Sequence, residues 1–399
     1  MATQQPILRR IFAQGETPFW RDERVLRVIS QIIAAIVIIG LLWWAIGNVI
    51  YAANQRGLSL GFGFLRNTAG FPIGETVIPY QPSDTFARAF LDGVLSTLKV
   101  SIIGIFFATV LGTIVGVARL STNWLVSRIA LAFIEIHRNI PLLVLLFLWY
   151  RGVFTKLPRV QESITWPGPI YMNQRGLFLT WPVANPGGQL FLVSLVVGIV
   201  LAVLAFSFLE RRQMNSNHNT HPFLVSLAVL ILLPLVGWFL SGGDPLHLEQ
   251  PVLKGFNFQG GMHMTPEFTA LLIGLVTYTA SFIAEVVRAG IQAVSRGQQE
   301  AARALGLSYV ETLNLIILPQ ALRVIIPPLI SQYLNLIKNS SLAFFIGYPD
   351  LFFIGKTTTD QAGRALQVIL LVMAVYLVIS LITSLVLNLY NRRIQFVER

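Results

Sequence analysis

Apolar residues in this chain do not alternate with polar ones; they collect in long runs separated by polar stretches. Runs of about 18 residues or more would aggregate in water and read as bilayer spans. The predicted spans are Val28–Tyr51, Leu91–Ala118, Ile129–Tyr150, Gln189–Leu209, Pro222–Leu240, Glu267–Val287, Leu322–Ile337 and Ala365–Leu389. The expected fold class is therefore all-α, a polytopic membrane bundle of about eight transmembrane helices. Within Leu322–Ile337, Pro327 and Pro328 interrupt the pattern and Lys338 closes it. Proline is tolerated in a membrane helix only where neighbours or water satisfy the freed carbonyls, so this segment is predicted to face protein or a cavity.

The first run follows a polar segment bearing Arg9, Arg10, Arg21, Arg24 and Arg27. It is too long and too late for a cleaved signal and reads as an uncleaved anchor helix. A Gly- and Pro-rich loop covers Ala52 to about Phe90. The two runs between Gln189 and Leu240 look like an inserted hairpin, turning at the basic connector Glu210–His221.

Composition agrees with a bilayer solvent: 54% of the 399 residues are hydrophobic and 12% charged. The net charge of +11 does not point to nucleic acid, because the basic residues sit between apolar runs rather than on one stretch with interleaved aromatics. They test the topology instead. The N-terminal arginines, Arg119, Arg128, Arg211, Arg212, Arg288, Arg296, Arg303, Arg323, Arg392, Arg393 and Arg399 fall on one side, in the shorter segments. By the positive-inside rule that side, with both termini, is cytoplasmic. There is no cysteine, hence no disulfide or thiol chemistry. His137, His218, His221, His247 and His263 show no metal-ligand spacing, and no metal site is expected.

The polar region from Arg288 to Arg323 is the one long cytoplasmic loop inside the predicted bundle. Ser295 with Gln298 reads as a capping box, followed by the helix formers Glu300, Ala301, Ala302, Arg303, Ala304 and Leu305. Gly306 supplies the left-handed residue that ends helices. Ser308 with Glu311 repeats the cap, and a second helix is predicted to run toward Pro319. Ala301 and Ala302, flanked by Glu300 and Arg303, would leave a close-approach surface suited to a partner's groove; otherwise the loop simply connects two spans.

Glu300-Ala301-Ala302, then Gly306, then Ile316-Ile317-Leu318-Pro319 resembles the EAA loop of bacterial ABC importer permeases. Arg138-Asn139-Ile140-Pro141-Leu142-Leu143 resembles a segment of the polar amino-acid (histidine/glutamine permease-like) branch, with Asn139 and Ile140 replacing Gly and Thr. Tyr278 through Lys338-Asn339-Ser340-Ser341-Leu342 continues the likeness. The resemblance implies a non-catalytic permease subunit of the bacterial inner membrane, without a cofactor of its own. It would work with an ATPase dimer docked on the EAA helix, a second related permease and a periplasmic amino-acid-binding protein. It also implies an organisation: 1–89 an added anchor helix and loop, 90–150 the first core block, 151–265 an insertion with a transmembrane hairpin, and 266–399 the second block with its coupling loop at about 295–319. The long layout is similar to general L-amino-acid permeases, which implies a broad polar or general amino-acid substrate.

Ionisable groups inside spans cost about 2.5–3.5 kcal/mol at a helix centre and are candidates for function. Glu285, near Ser281 and Arg288, could hold a substrate amine, or could pair with Arg288 and only anchor the helix end. Arg138 could contact substrate or snorkel to lipid phosphates. Asn335, Asn339, Ser340 and Ser341 form a polar stripe suited either to lining a path or to helix packing. Lys99 is expected to pair with Asp92, seven residues away on roughly the same face. Gly355-Lys356-Thr357 mimics the end of a phosphate loop, but Asp350 stands where its first glycine is required. An ion-coupled secondary transporter is the alternative class; it predicts several acids in mid-membrane and an inverted repeat, where the sequence offers mainly Glu285 near one end.

Overall fold

The computed structural model describes residues 23–55, 61–216 and 220–394. Arg9, Arg10, Arg21, Arg56, His218 and Arg399 lie outside the described residues. The chain forms α1 (Glu23–Gln55), α2 (Phe86–Arg119), α3 (Trp124–Asn139), α4 (Leu142–Phe147), α5 (Gln189–Ser216), α6 (Pro222–Leu240), α7 (Pro266–Gln292), α8 (Arg296–Ala304), α9 (Tyr309–Thr312), α10 (Leu318–Asn339), α11 (Leu351–Ala362) and α12 (Ala365–Ile394). Among the described residues seven helical stretches are long and apolar enough to cross a membrane, or eight if a bent pair counts as one span. The helical bundle read from the runs is therefore the fold.

The bent pair corrects the expectation of one helix over Ile129–Tyr150. The axis turns by 105° between α3 and the stretch from Leu142 to Lys156. Pro141 lacks an N–H, and its ring pushes Ile140 out of the helical region, to φ −93° and ψ 127°. From α4 the chain continues through a π-helical turn, Leu148–Val153, antiparallel along α7. Leu146 meets Gly274, and the Tyr150 hydroxyl donates to Glu267 Oε1 at 2.8 Å. By contrast, Pro327 and Pro328 do not break α10, which runs continuously from Leu318 to Asn339.

The central seam is α2 against α7. Gly104, Ala108, Gly112 and Gly116 recur every four residues and make a ridge of small residues on α2. A Cβ on Gly112 would stand 2.6 Å from Ile283 Cβ, and one on Gly116 2.6 Å from the Ala284 carbonyl oxygen. Ala280 and Ala284 are fully buried opposite them. Water drives no association between helices in lipid, so close packing of this kind is what holds them together. α11 and α12 close the other side of α2 through Leu351, Ile354, Val368 and Val372, with Phe64 and Phe71 of the preceding loop.

At the end of the bundle away from α8, the same loop is tied down by charge. Lys99 Nζ bonds Glu75 Oε1 at 2.7 Å, not Asp92 as expected. The reason is that Asp92 Oδ1 already accepts from the N–H groups of Val77 and Ile78, at 2.8 and 3.1 Å. The Thr265 hydroxyl donates to the other Glu75 oxygen, so α2, the loop and the start of α7 are joined at one point.

The inserted region contains the predicted hairpin, α5 against α6, with few buried residues on either helix. It also contains short strands that no hydropathy run announces: β1 (Ile164–Trp166), β2 (Ile170–Asn173), β3 (Gly176–Leu179), β4 (Trp181–Ala184), β5 (Leu246–Glu249), β6 (Val252–Lys254), β7 (Asn257–Gln259) and β8 (Met262–Met264). They pair antiparallel in the order β1-β2-β3-β8, with separate β4-β5 and β6-β7 ribbons. Val160, Phe178 and Phe258 form the core of this lobe. β4 and β5 join the two ends of the hairpin, and β8 leads directly into α7.

Candidate functional site

Two features stand out: a short helix ended by Gly306 at one end of the bundle and, just inside it, a cavity with Arg138, Glu285 and Gln332 in its walls. The start of α8 departs from expectation, because the Ser295 hydroxyl makes no cap bond and only its carbonyl accepts, from Gln298 N at 3.1 Å. The second box is complete. Ser308 N–H donates to Glu311 Oε2 at 2.8 Å, and Glu311 N–H to Ser308 Oγ at 3.3 Å. These bonds hold the Glu311 carboxyl below the usual glutamate range.

Gly306 has φ +77°, its N–H donates to Arg303 O at 3.0 Å, and Leu307 N–H to Ala302 O at 3.1 Å. That crossed pair of bonds satisfies the last carbonyls of α8 and fixes the direction in which the chain leaves. Glu300, Ala301, Arg303 and Gly306 are exposed, as is Leu305 at 79%. Ala302 is not part of that surface. It is fully buried, on the face of α8 that rests on the turn Leu313–Ile317. Nor does the second helix stop at Pro319. α9 passes through that π-helical turn straight into α10, and the wider turn accommodates the missing proline N–H and the bulk of the ring. The exposed α8 is joined to this continuous run by the Gly306 turn and rests on it through Ala302.

The cavity, of about 280 Å³, is lined by Arg138, Phe282, Glu285, Val286, Ala289, Gly290, Val324, Pro328 and Gln332. α3 contributes Arg138, whose guanidinium lies 5.4 Å from the Phe282 ring centre. α7 contributes Glu285, which takes Arg288 Nε at 3.0 Å on both oxygens. α10 contributes Pro328, so the expectation that the proline-bearing segment faces a cavity holds, and Gln332, which the sequence reading missed. Its signal was the spacing Pro328, Gln332, Asn335, Asn339 along one side of α10. Larger grooves, such as the one of about 540 Å³ between α5 and α6, have almost wholly apolar walls and suit acyl chains rather than a polar solute.

The remaining candidates divide. Ser281 is buried and donates to Tyr278 O of its own helix, apart from the cavity. Ser340 and Ser341 likewise donate to the carbonyls of Ile337 and Lys338. Asn335 is exposed and Asn339 half-buried, and with Ser331 and Lys338 they give α10 a polar outer face. Such groups are costly against hydrocarbon, so this face belongs against water or another protein. Lys356, in the false phosphate-loop sequence, pairs with Asp360 one helical turn on.

A family model described as "Binding-protein-dependent transport system inner membrane component" matches residues 195–396. The chain belongs to that family. The matched residues take in α8, the cavity walls on α7 and α10, and most of the hairpin. Among curated relatives, "Putative amino-acid ABC transporter permease protein YhdX" of Escherichia coli (strain K12) is 45% identical over 98% of this chain and 99% of its own. The general L-amino acid transport system permease protein AapQ of Rhizobium johnstonii is 42% identical over 95% of this chain and 94% of its own. The glutamate/glutamine/aspartate/asparagine transport system permease protein BztB of Rhodobacter capsulatus is 41% identical over 95% and 96%. Coverage this complete means that the alignments with these relatives run through the inserted hairpin and β-lobe of the permease. Family membership also sets aside the ion-coupled alternative: the chain is an inner-membrane permease subunit.

Proposed function

We propose that this permease carries polar amino acids inward as one membrane subunit of an ATP-binding-cassette importer. A partner ATPase dimer docks on Glu300, Ala301, Arg303 and Gly306 and hydrolyses the ATP. The observation that carries the reading is α8 itself, exposed, tightly terminated at Gly306 and packed through Ala302 on the turn Leu313–Ile317, which runs into α10. A nucleotide-driven push there moves a span, and differential nucleotide binding shifts the bundle between inward and outward access. On this reading both termini are cytoplasmic, and a periplasmic binding protein meets the β-lobe end.

The polar outer face of α10 is turned toward the translocation path, which a second, related permease completes. The cavity beside it is the candidate substrate station. Arg138 adds a positive charge to the neutralised Glu285–Arg288 pair, so the cavity favours a carboxylate. Gln332 offers both a donor and an acceptor, and Glu285 reaches a substrate amine only in competition with Arg288. The names of AapQ and BztB support a broad polar amino-acid class. No cofactor and no catalytic residue are assigned to this chain.

The test is uptake of radiolabelled glutamine and glutamate into vesicles holding the complete assembly. Uptake should require ATP and stop on its depletion while an ion gradient is intact. Uptake that survives depletion, or passive flux, would overturn the proposal.

A further inference from the structure

Helix α3 does not run with the spans. The stretch from Leu142 to Lys156 lies along α7, and α3 is bent by 105° from that direction. Both of its ends stay at the α8-side level of the bundle, within about two turns of α7. Arg119, at the end of α2 just past the Gly116–Ala284 contact, donates to Ser127 Oγ at 2.8 Å, while Arg138 lies over Phe282. That level is the α8 end of the membrane.

The exposed surface of α3 is divided lengthwise. Leu125, Ile129, Ala132 and Ile136 recur at i, i+4, i+7 and i+11 as an apolar strip. Beside it Arg128, Glu135 and Asn139 form a polar strip, with Trp124 at its start. Ala130 and Ile134 occupy the face buried against the bundle. A helix crossing the bilayer would drag the polar strip through hydrocarbon. A helix lying in the interface gives each strip its own medium. Arg128 has the Trp124 ring 6.0 Å away and, among the described residues, no carboxylate partner; Glu135 is taken up by Asn139 at 2.9 Å. Tryptophan beside an unpaired arginine is the chemistry of a headgroup layer, where the ring sits at the interface and the guanidinium meets phosphate.

We propose that α3 is an in-plane helix seated on the anionic lipid of the leaflet at the α8 end. Its apolar strip enters the acyl boundary and Arg128 binds a phospholipid headgroup. α3 also delivers Arg138 to the cavity, so this lipid contact fixes the height of one cavity wall.

The chain has no cysteine, so Ile129→Cys, Glu135→Cys and Ile136→Cys each give a unique nitroxide site. In the assembled transporter in lipid nanodiscs, labels at 129 and 136 should report equal, shallow depth and high oxygen access, and the label at 135 should report water. A spanning helix would separate 129 and 136 by about 10 Å in depth, and that result would overturn the proposal. Labels at 129 and 136 immobilised and shielded from oxygen would overturn it too, in favour of a subunit interface. The second arm uses nanodiscs of phosphatidylcholine with and without phosphatidylglycerol. Omitting the anionic lipid should lower substrate-stimulated ATPase activity about fivefold, the scale of one arginine–headgroup contact. Arg128→Gln should show the same deficit with phosphatidylglycerol present, and Arg128→Lys should retain most activity. A wild-type assembly indifferent to phosphatidylglycerol, or an Arg128→Gln assembly that still responds fully to it, would overturn the headgroup assignment.

Discussion

Substitutions at Gly306 separate the geometry of α8 from everything else about the chain. A Cβ at this position would have no atom within 4 Å, so a side chain meets no steric obstacle. The cost of alanine is then only that of the left-handed backbone at φ +77°, about 1–2 kcal/mol, which is roughly a 5- to 30-fold shift against the native turn. Asparagine tolerates this region and should cost less. Proline holds φ near about −65° and removes the N–H that bonds Arg303 O, so the turn cannot form and the cost exceeds about 3 kcal/mol. Gly306 is exposed at the end of the bundle, and none of the spans loses packing in any of the three variants. Membrane insertion and the unfolding midpoint in detergent should therefore stay at wild-type values. ATP-driven uptake and copurification of the ATPase should fall in the order Gly, Asn, Ala, Pro, with uptake abolished in Gly306→Pro. A proline variant that transports at the wild-type rate would refute the claim that this turn aims the coupling helix.

Three further outcomes can be measured. Gly116→Leu forces atoms into a seam where even a Cβ would stand 2.6 Å from a backbone oxygen; the protein should lose about 3 kcal/mol or more and unfold at lower temperature in detergent, and an unchanged midpoint would refute the packing argument. Glu75→Gln and Lys99→Met should each destabilise the outer loop, and a double-mutant cycle should return a coupling of about 1–2 kcal/mol; zero coupling would mean that the pair is incidental. Glu311 has a lowered pKa when folded, so its contribution to the cap is present above the ordinary glutamate value of about 4.3 and disappears as pH falls through the lower folded value. Protection of the Ser308 amide, relative to its intrinsic exchange rate, should fall only in that acid range, and Glu311→Gln should remove this pH dependence of the protection.

Much of the architecture was legible because lipid imposes a one-dimensional rule: a span needs a long apolar run, and the runs are countable. The EAA spacing was equally legible, since Gly306 and the Ser308–Glu311 box are local backbone chemistry set within a few residues. Other readings failed where a partner lay far away in sequence. Lys99 could be matched with Asp92 by helical spacing, yet Glu75, in the preceding loop, claims it. Ala302 and Ala301 are adjacent and chemically identical; only the packing of α8 on Leu313–Ile317 makes one buried and the other exposed. The β-lobe escaped notice because strands of three or four residues carry too few positions for a period to register.

From its order of residues alone, this chain determines that it lives in a bilayer, roughly where it crosses, and that a glycine-terminated helix projects from one end. Those properties follow from solvent transfer and short-range backbone bonding, which need no knowledge of distant contacts. Tertiary structure decided the rest: that Pro141 turns a supposed span by 105°, that Arg138, Glu285 and Gln332 from three helices line one cavity, and that α8 packs on the turn leading into α10. These depend on which helices meet, and that choice is made by close-packing small residues such as Gly112 and Gly116, whose significance appears only when the opposing helix is in place.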